Sequence, residues 1–296
     1  MSIPIKKEIN LIRQKIQEEV TFNDQIIDES LHVFNDQYEV AGLLADLTIN
    51  ALKYNKDTFT VNVEKYNLPI KEVCIVIHKE NLSPTLSGAL TKVTSFGRIT
   101  IEINTIPNIL VMYDEKTAYN EFKNAIAHEL EHAFTTLSEY KNTGTVNDYS
   151  LLYNAVTEIM FNPTPPDDVY FFSYATYNVF GHEFNAFVSQ CYGEVYDYLK
   201  KLDKVENQDI REALKKSKTY RTFFINLRKL NMILDYDKKK KNNFIKSFNE
   251  RSNGIYPIQD IDELDTLLDI SLDRNKMAVR NCHSVAMKAY YNLFNK

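Results

Sequence analysis

Tryptophan is absent from this 296-residue chain, and cysteine occurs only as Cys74, Cys191 and Cys282. Three scattered cysteines cannot build a disulfide framework, and their spacing fits no cysteine-based metal site. No apolar run approaches membrane-spanning length. The first twenty residues hold Lys6, Lys7, Glu8, Arg13, Lys15, Glu18 and Glu19, which leaves no hydrophobic stretch for a secretory leader. Positive charge is not in excess either. The formal net charge of −5 gives no reason to expect nucleic acid or an anionic membrane as a main partner. We find no internal repeat and no long low-complexity linker. These absences lead us to expect a protein of the cytoplasm, or one packaged in a virion assembled there.

The chain is rich in Asn, Lys, Ile, Tyr and Phe. Their codons are AT-rich, so the composition suggests an AT-rich bacterial, plasmid or phage genome. Hydrophobic content of 44% and charged content of 25% are those of an ordinary soluble globular protein. A chain of this length buries a sizeable core, as one large domain or two smaller ones.

His128-Glu129-Leu130-Glu131-His132 is the stretch that carries chemistry. It reads H-E-x-x-H, and no Pro or Gly interrupts residues 119–134. In a helix the two histidines share one face, about 6 Å apart along the axis. That spacing lets both imidazoles bind one Zn²⁺. Glu129 then stands beside the metal's open position, as general base toward a bound water. Asp114 is the expected N-cap, with Glu115 in the first turn. Phe122, Ile126, Ala133 and Leu137 supply an apolar face. A core helix with two satisfied histidines is the alternative.

A third protein ligand is needed. One class of zinc peptidase places Gly three and His six residues after the second histidine. Thr135 and Ser138 hold those positions here, which excludes it. A glutamate from a later helix is the other solution. Glu183, in Gly181-His182-Glu183-Phe184-Asn185-Ala186, is the best candidate, and Ala186 one turn on allows close helix packing. His182 and Glu194 are its rivals.

These stretches resemble the gluzincin metallopeptidases, the thermolysin-like clan with an H-E-x-x-H helix and a glutamate ligand on a following helix. The resemblance is specific over residues 124–134 and 182–190, looser over 59–134, and does not extend past about residue 200. Phe187 stands where that clan has an aspartate orienting a histidine. The E-x-x-A form is more similar to small intracellular metallopeptidases of the anti-repressor type. The resemblance implies a Zn²⁺ cofactor and a peptide or protein substrate. It also implies an extended peptide pairing with a sheet edge at residues 95–104, for which a plain sheet strand is the alternative. Candidates for stabilising the oxyanion of the reaction are Tyr174, Tyr177, His182 and His283, the last on a late helix where thermolysin-like enzymes place such a histidine. His32 and His78 are expected to be structural.

The patterning predicts an α+β fold, with a small, mostly antiparallel sheet on the zinc-binding helix and a helical C-terminal part. Helices are expected at 4–20 and 24–54. Strands are expected at 59–63, 72–78, 98–104 and 108–113, the first and third from alternation of apolar and polar residues. Residues 148–161 read as helix, Asn162-Pro163-Thr164-Pro165-Pro166 as a rigid loop, and 168–180 as an aromatic helix or strand that is more often core than pocket. Beyond lie helices at 208–234, 262–270 and 274–294, with Lys238–Lys241 as a solvated loop. We divide the chain into an N-terminal helical segment (1–56), a zincin-like core (57–200) and a helical C-terminal region (201–296). The expected function is a zinc metalloendopeptidase. The alternative is a phage or plasmid structural protein that keeps the fold, associated with a larger assembly.

Overall fold

The computed structural model describes residues 31–66, 68–79, 87–95, 98–106, 108–143, 151–161, 167–202 and 205–294. The helix expected at 4–20 and the proline loop at 162–166 lie outside them. The architecture is α+β. Helix α1 (Leu31–Lys53) precedes strands β1 (Thr58–Asn62), β2 (Glu72–Lys79), β3 (Ser87–Ser95) and β4 (Arg98–Thr105). A four-residue helix, α2 (Ile109–Met112), leads into α3 (Glu115–Thr143), which carries the histidines. Then follow α4 (Leu151–Phe161), α5 (Asp168–Tyr177), α6 (Gly181–Leu199), α7 (Asn207–Lys216), α8 (Lys218–Leu234), α9 (Lys238–Arg251) and α10 (Ile261–Phe294).

The sheet order is β1-β2-β4-β3, antiparallel at β1–β2 and β3–β4 and parallel at β2–β4. Its register follows from the alternation in β4. Ile99, Ile101 and Ile103 point into the core and are buried with Ile75 and Ile77 of β2. Each such side chain contributes roughly 1.5–3 kcal/mol by leaving water, so a one-residue slip would expose the whole row. The same core takes Leu44, Ala45 and Ile49 from α1 and Phe122, Ile126, Leu130 and Ala133 from α3. It therefore crosses the boundary drawn between residues 56 and 57.

The strand expected at 108–113 is the helix α2 instead. Asn108 adopts a left-handed φ of 63° and breaks the extended path, and the run Ile109-Leu110-Val111-Met112 coils once before Asp114. A four-residue apolar run has no periodicity to distinguish these outcomes. Strand β3 carries no clean alternation and was not expected. It is an outer strand of the sheet, whereas β4 is bonded on both sides. Residues 98–104 therefore cannot receive an added peptide strand.

Helix α3 begins as expected. Asp114 accepts hydrogen bonds from Thr117 N at 2.9 Å and Thr117 Oγ1 at 2.6 Å. Helix α6 crosses α3 and packs on it, with Ala186 fully buried. It also meets α1 closely, because a Cβ at Gly193 would lie 2.0 Å from the Tyr38 ring. Lys123 of α3 completes this junction, 3.7 Å over the Tyr38 ring and bonded to Asp197 of α6 at 3.1 Å.

The C-terminal helices share two further cores with α4–α6. One joins Val156, Ile159 and Phe172 to Phe244, Phe248 and Leu268. The other joins Phe184, Cys191 and Val195 to Phe223, Cys282 and Val285. Residues 201–296 thus cover the preceding helices. Three expectations here are corrected. The helix at 208–234 divides at Ser217, whose ψ of 125° leaves helical space while its side chain caps α8. Lys238–Lys241 is the first turn of α9, because Asp237 caps it and Lys241 is buried against Asp265 at 2.6 Å. The closing helices are one continuous α10. Ser271, between the two expected helices, and Asn275 are buried and bond to Thr176 and to the Ala175 carbonyl of α5. Among the described residues no helix is long and apolar enough to cross a membrane.

Candidate metal centre

One turn of α3 separates His128 from His132, and their Nε2 atoms lie 3.0 Å apart. The rings meet edge to face, 4.7 Å between centroids. Glu183 enters from α6, at the third residue after the bend that follows α5. Its Oε2 lies 3.2 Å from His128 Nε2, and its Oε1 lies 3.5 Å from His132 Nε2. The geometry thus brings His128, His132 and Glu183 together from two crossing helices.

Glu183 is 5% exposed, and its Oε2 is buried with no hydrogen-bond partner. A buried carboxylate oxygen without a hydrogen bond is costly, and this one faces the imidazole nitrogen of His128. Burial favours the neutral acid, but the nearby His128 and His132 outweigh it and hold Glu183 well below the usual carboxylate range. Burial likewise opposes the protonated form of His132, and the Glu183 carboxylate overcomes it and raises that pKa.

Two tyrosines reach the other oxygen of Glu183. Tyr177, at the end of α5, donates to Oε1 at 2.6 Å, and Tyr153 of α4 donates to it at 3.3 Å. Their rings stack at 5.5 Å. Burial first, and the Glu183 charge second, push the Tyr177 phenol far above its ordinary pKa.

Glu129 is also close. One of its oxygens lies within 4.8 Å of a ring nitrogen of each histidine. Two carboxylates therefore compete for the place of third ligand. The two differ in surroundings, since Glu129 is drawn toward the sheet, where its Oε2 accepts a hydrogen bond from Thr91 Oγ1 of β3 at 2.8 Å.

The other sequence candidates lie elsewhere. Glu194 accepts from Ser217 Oγ at 2.6 Å, and from Thr219 N and Oγ1 at 3.1 Å, anchoring the start of α8. His283 is exposed, and its Nε2 lies 2.8 Å from the Tyr220 hydroxyl, so it is tied to α8 and not to the cluster. Tyr174 stacks on Tyr170. The side chains of His182 and His32 lie outside the described residues. His78 sits 3.6 Å from Glu102 on the sheet. Phe187 packs edge-on against the His128 ring at 5.0 Å, an apolar support where an aspartate was expected from the resemblance. Thr91 and Tyr153 went unrecognised as site residues. Neither lies in a motif, and only the packing of β3 and α4 brings them in.

Comparison with known proteins adds no family. No family model matches the chain, and neither a curated protein nor a solved structure matches it significantly.

Proposed function

We propose that this protein is a zinc-dependent metalloendopeptidase in which His128, His132 and Glu183 hold the metal and Glu129 is the general base. The observation that carries this reading is the donor triangle with its orphaned oxygen. Bonds of about 2.0–2.1 Å at tetrahedral angles separate zinc donors by about 3.3 Å. Here His128 Nε2 lies 3.0 Å from His132 Nε2 and 3.2 Å from Glu183 Oε2, while the other oxygen, Oε1, lies 3.5 Å from His132 Nε2. Glu183 Oε2 is buried with no hydrogen-bond partner although His128 Nε2 lies 3.2 Å away, which suits an oxygen turned toward a metal.

Zinc in this cage supplies Lewis acidity, polarising a peptide carbonyl and acidifying water. The chain's own groups do the rest. Thr91 holds one oxygen of Glu129, which leaves the other to take a proton from the attacking water. Glu129 then returns that proton to the leaving amine. β3, which contributes Thr91, is the outer strand nearest α3 and is the edge along which an extended peptide would pair.

The alternative of a structural protein retaining such a fold is less well supported. A scaffold has no use for two buried carboxylates beside paired histidines, since each buried charge costs several kcal/mol of desolvation. The test is direct. Mass spectrometry of the purified full-length protein should find about one zinc per chain, as for a three-ligand catalytic site. The same protein should cleave a mixed peptide library. Zinc without cleavage would favour the scaffold, and no zinc would remove both the metal and the enzyme.

A further inference from the structure

We propose that Tyr177 and Tyr153 are positioning residues that occupy Glu183 Oε1 and so commit Oε2 alone to the metal. The inference rests on the zinc reading above and assigns a cause to its ligand geometry.

A carboxylate facing a metal can bind through one oxygen or through both. Binding through both would consume the coordination position that a catalytic zinc site keeps open for water and substrate. Here the two oxygens are in different surroundings. Oε1 receives two phenolic hydrogen bonds, the shorter 2.6 Å. Oε2 receives none and lies 3.2 Å from His128 Nε2. Phenols draw electron density to Oε1 and fix the carboxylate plane, so Oε2 is the more available donor. The two rings stack on each other at 5.5 Å, which restricts their motion. They come from α4 and α5, whereas the two histidines come from α3.

This assignment differs from a tyrosine that stabilises the oxyanion. A phenol committed to Glu183 acts through the ligand. Its loss should weaken the metal's hold and alter its coordination, and should lower turnover only together with those changes.

The experiment uses full-length Tyr177→Phe, Tyr153→Phe and the double variant, with Tyr170→Phe as a control that removes a hydroxyl not bonded to Glu183. Zinc affinity is measured by chelator competition. The visible absorption of the Co²⁺-loaded proteins reports coordination number, since four-coordinate Co²⁺ absorbs much more strongly than five-coordinate. Losing a partner of a metal ligand weakens affinity about 10–100-fold, and we expect Tyr177→Phe to fall in that range. The longer Tyr153 bond predicts a smaller loss, and the Co²⁺ bands of the double variant should weaken as the carboxylate turns to bind through both oxygens. Tyr170→Phe should match wild type in zinc affinity. Tyr177→Phe and Tyr153→Phe with wild-type affinity and wild-type Co²⁺ bands would overturn the proposal. So would unchanged affinity together with a large loss of turnover at saturating zinc, which would place Tyr177 on the substrate. A wild-type protein that binds no zinc would instead sink the zinc reading itself.

Discussion

Thr91 and Glu129 join the sheet to the histidine helix through one hydroxyl. Thr91 Oγ1 lies 2.8 Å from Glu129 Oε2 and 3.0 Å from the Glu129 carbonyl oxygen. The strand thereby fixes both the height of α3 against the sheet and the direction of the carboxylate proposed as base. A hydrogen bond to a charged group contributes about 1.5–3 kcal/mol. We predict that Thr91→Val retains zinc and lowers kcat by roughly 10–100-fold, the factor that energy corresponds to. Thr91→Ser should recover most of the loss. Equal kinetics for Thr91→Val and wild type would show that Glu129 needs no such tether.

Glu129→Gln should keep its zinc and lose hydrolysis. Glutamine has nearly the same shape, so packing and metal binding survive, but it cannot accept the proton of the attacking water. Loss of a general base slows reaction by at least about 10²-fold. Zinc content and peptide cleavage are measured on the same preparation. Undiminished cleavage would remove Glu129 from the mechanism.

Glu183→Ala and Glu194→Ala should separate ligand from anchor. The first removes a donor of the triangle, and zinc should be stripped by a chelator concentration that leaves wild type loaded. The second removes the acceptor for Ser217 and Thr219 at the start of α8. Loss of that cap is expected to cost about 1–3 kcal/mol of stability with zinc content unchanged. Chemical denaturation and metal analysis of both variants decide the matter. The reverse pattern would exchange the two roles.

Acid stability should depend on Asp167. Burial opposes its ionisation, but the Tyr170 N–H and Arg251 outweigh it and hold its carboxyl below the usual range. A depressed folded pKa means that the stabilisation is complete above the unfolded value of about 3.9 and is lost as pH falls through the folded one. Asparagine caps a helix about as well as aspartate, so Asp167→Asn isolates the charge. The side chain is half-exposed, and its pairing with Arg251 is correspondingly screened. We expect wild type to be more stable than Asp167→Asn by less than about 1 kcal/mol at pH 7, with the gap closing toward pH 3. A gap that widened on acidification would reverse the assigned shift.

Local spacing settled part of this protein before any packing was considered. Alternation along Ile99, Ile101 and Ile103 specifies a strand and its inward face, because side chains on a pleated strand alternate. The interval from His128 to His132 places both rings on one helical face, and the capping pair Asp114–Thr117 marks where that helix begins. Glu183 was legible as a glutamate at a helix start followed by Ala186, a local cue that favoured it over Glu194 without showing what either side chain meets.

Tertiary packing sets them apart, because the two glutamates face different neighbouring helices. Glu183 meets α3, and Glu194 meets the start of α8. The same holds for α10, read as two helices at 262–270 and 274–294: α5 supplies hydrogen bonds to Ser271 and Asn275 and the helix runs on. Thr91, Tyr153 and the commitment of Tyr177 to Glu183 belong to this second class. One residue's type and spacing fix what it can donate or accept. Which atom it meets is set by burial and by elements distant in sequence, and those are decided only when the whole chain closes.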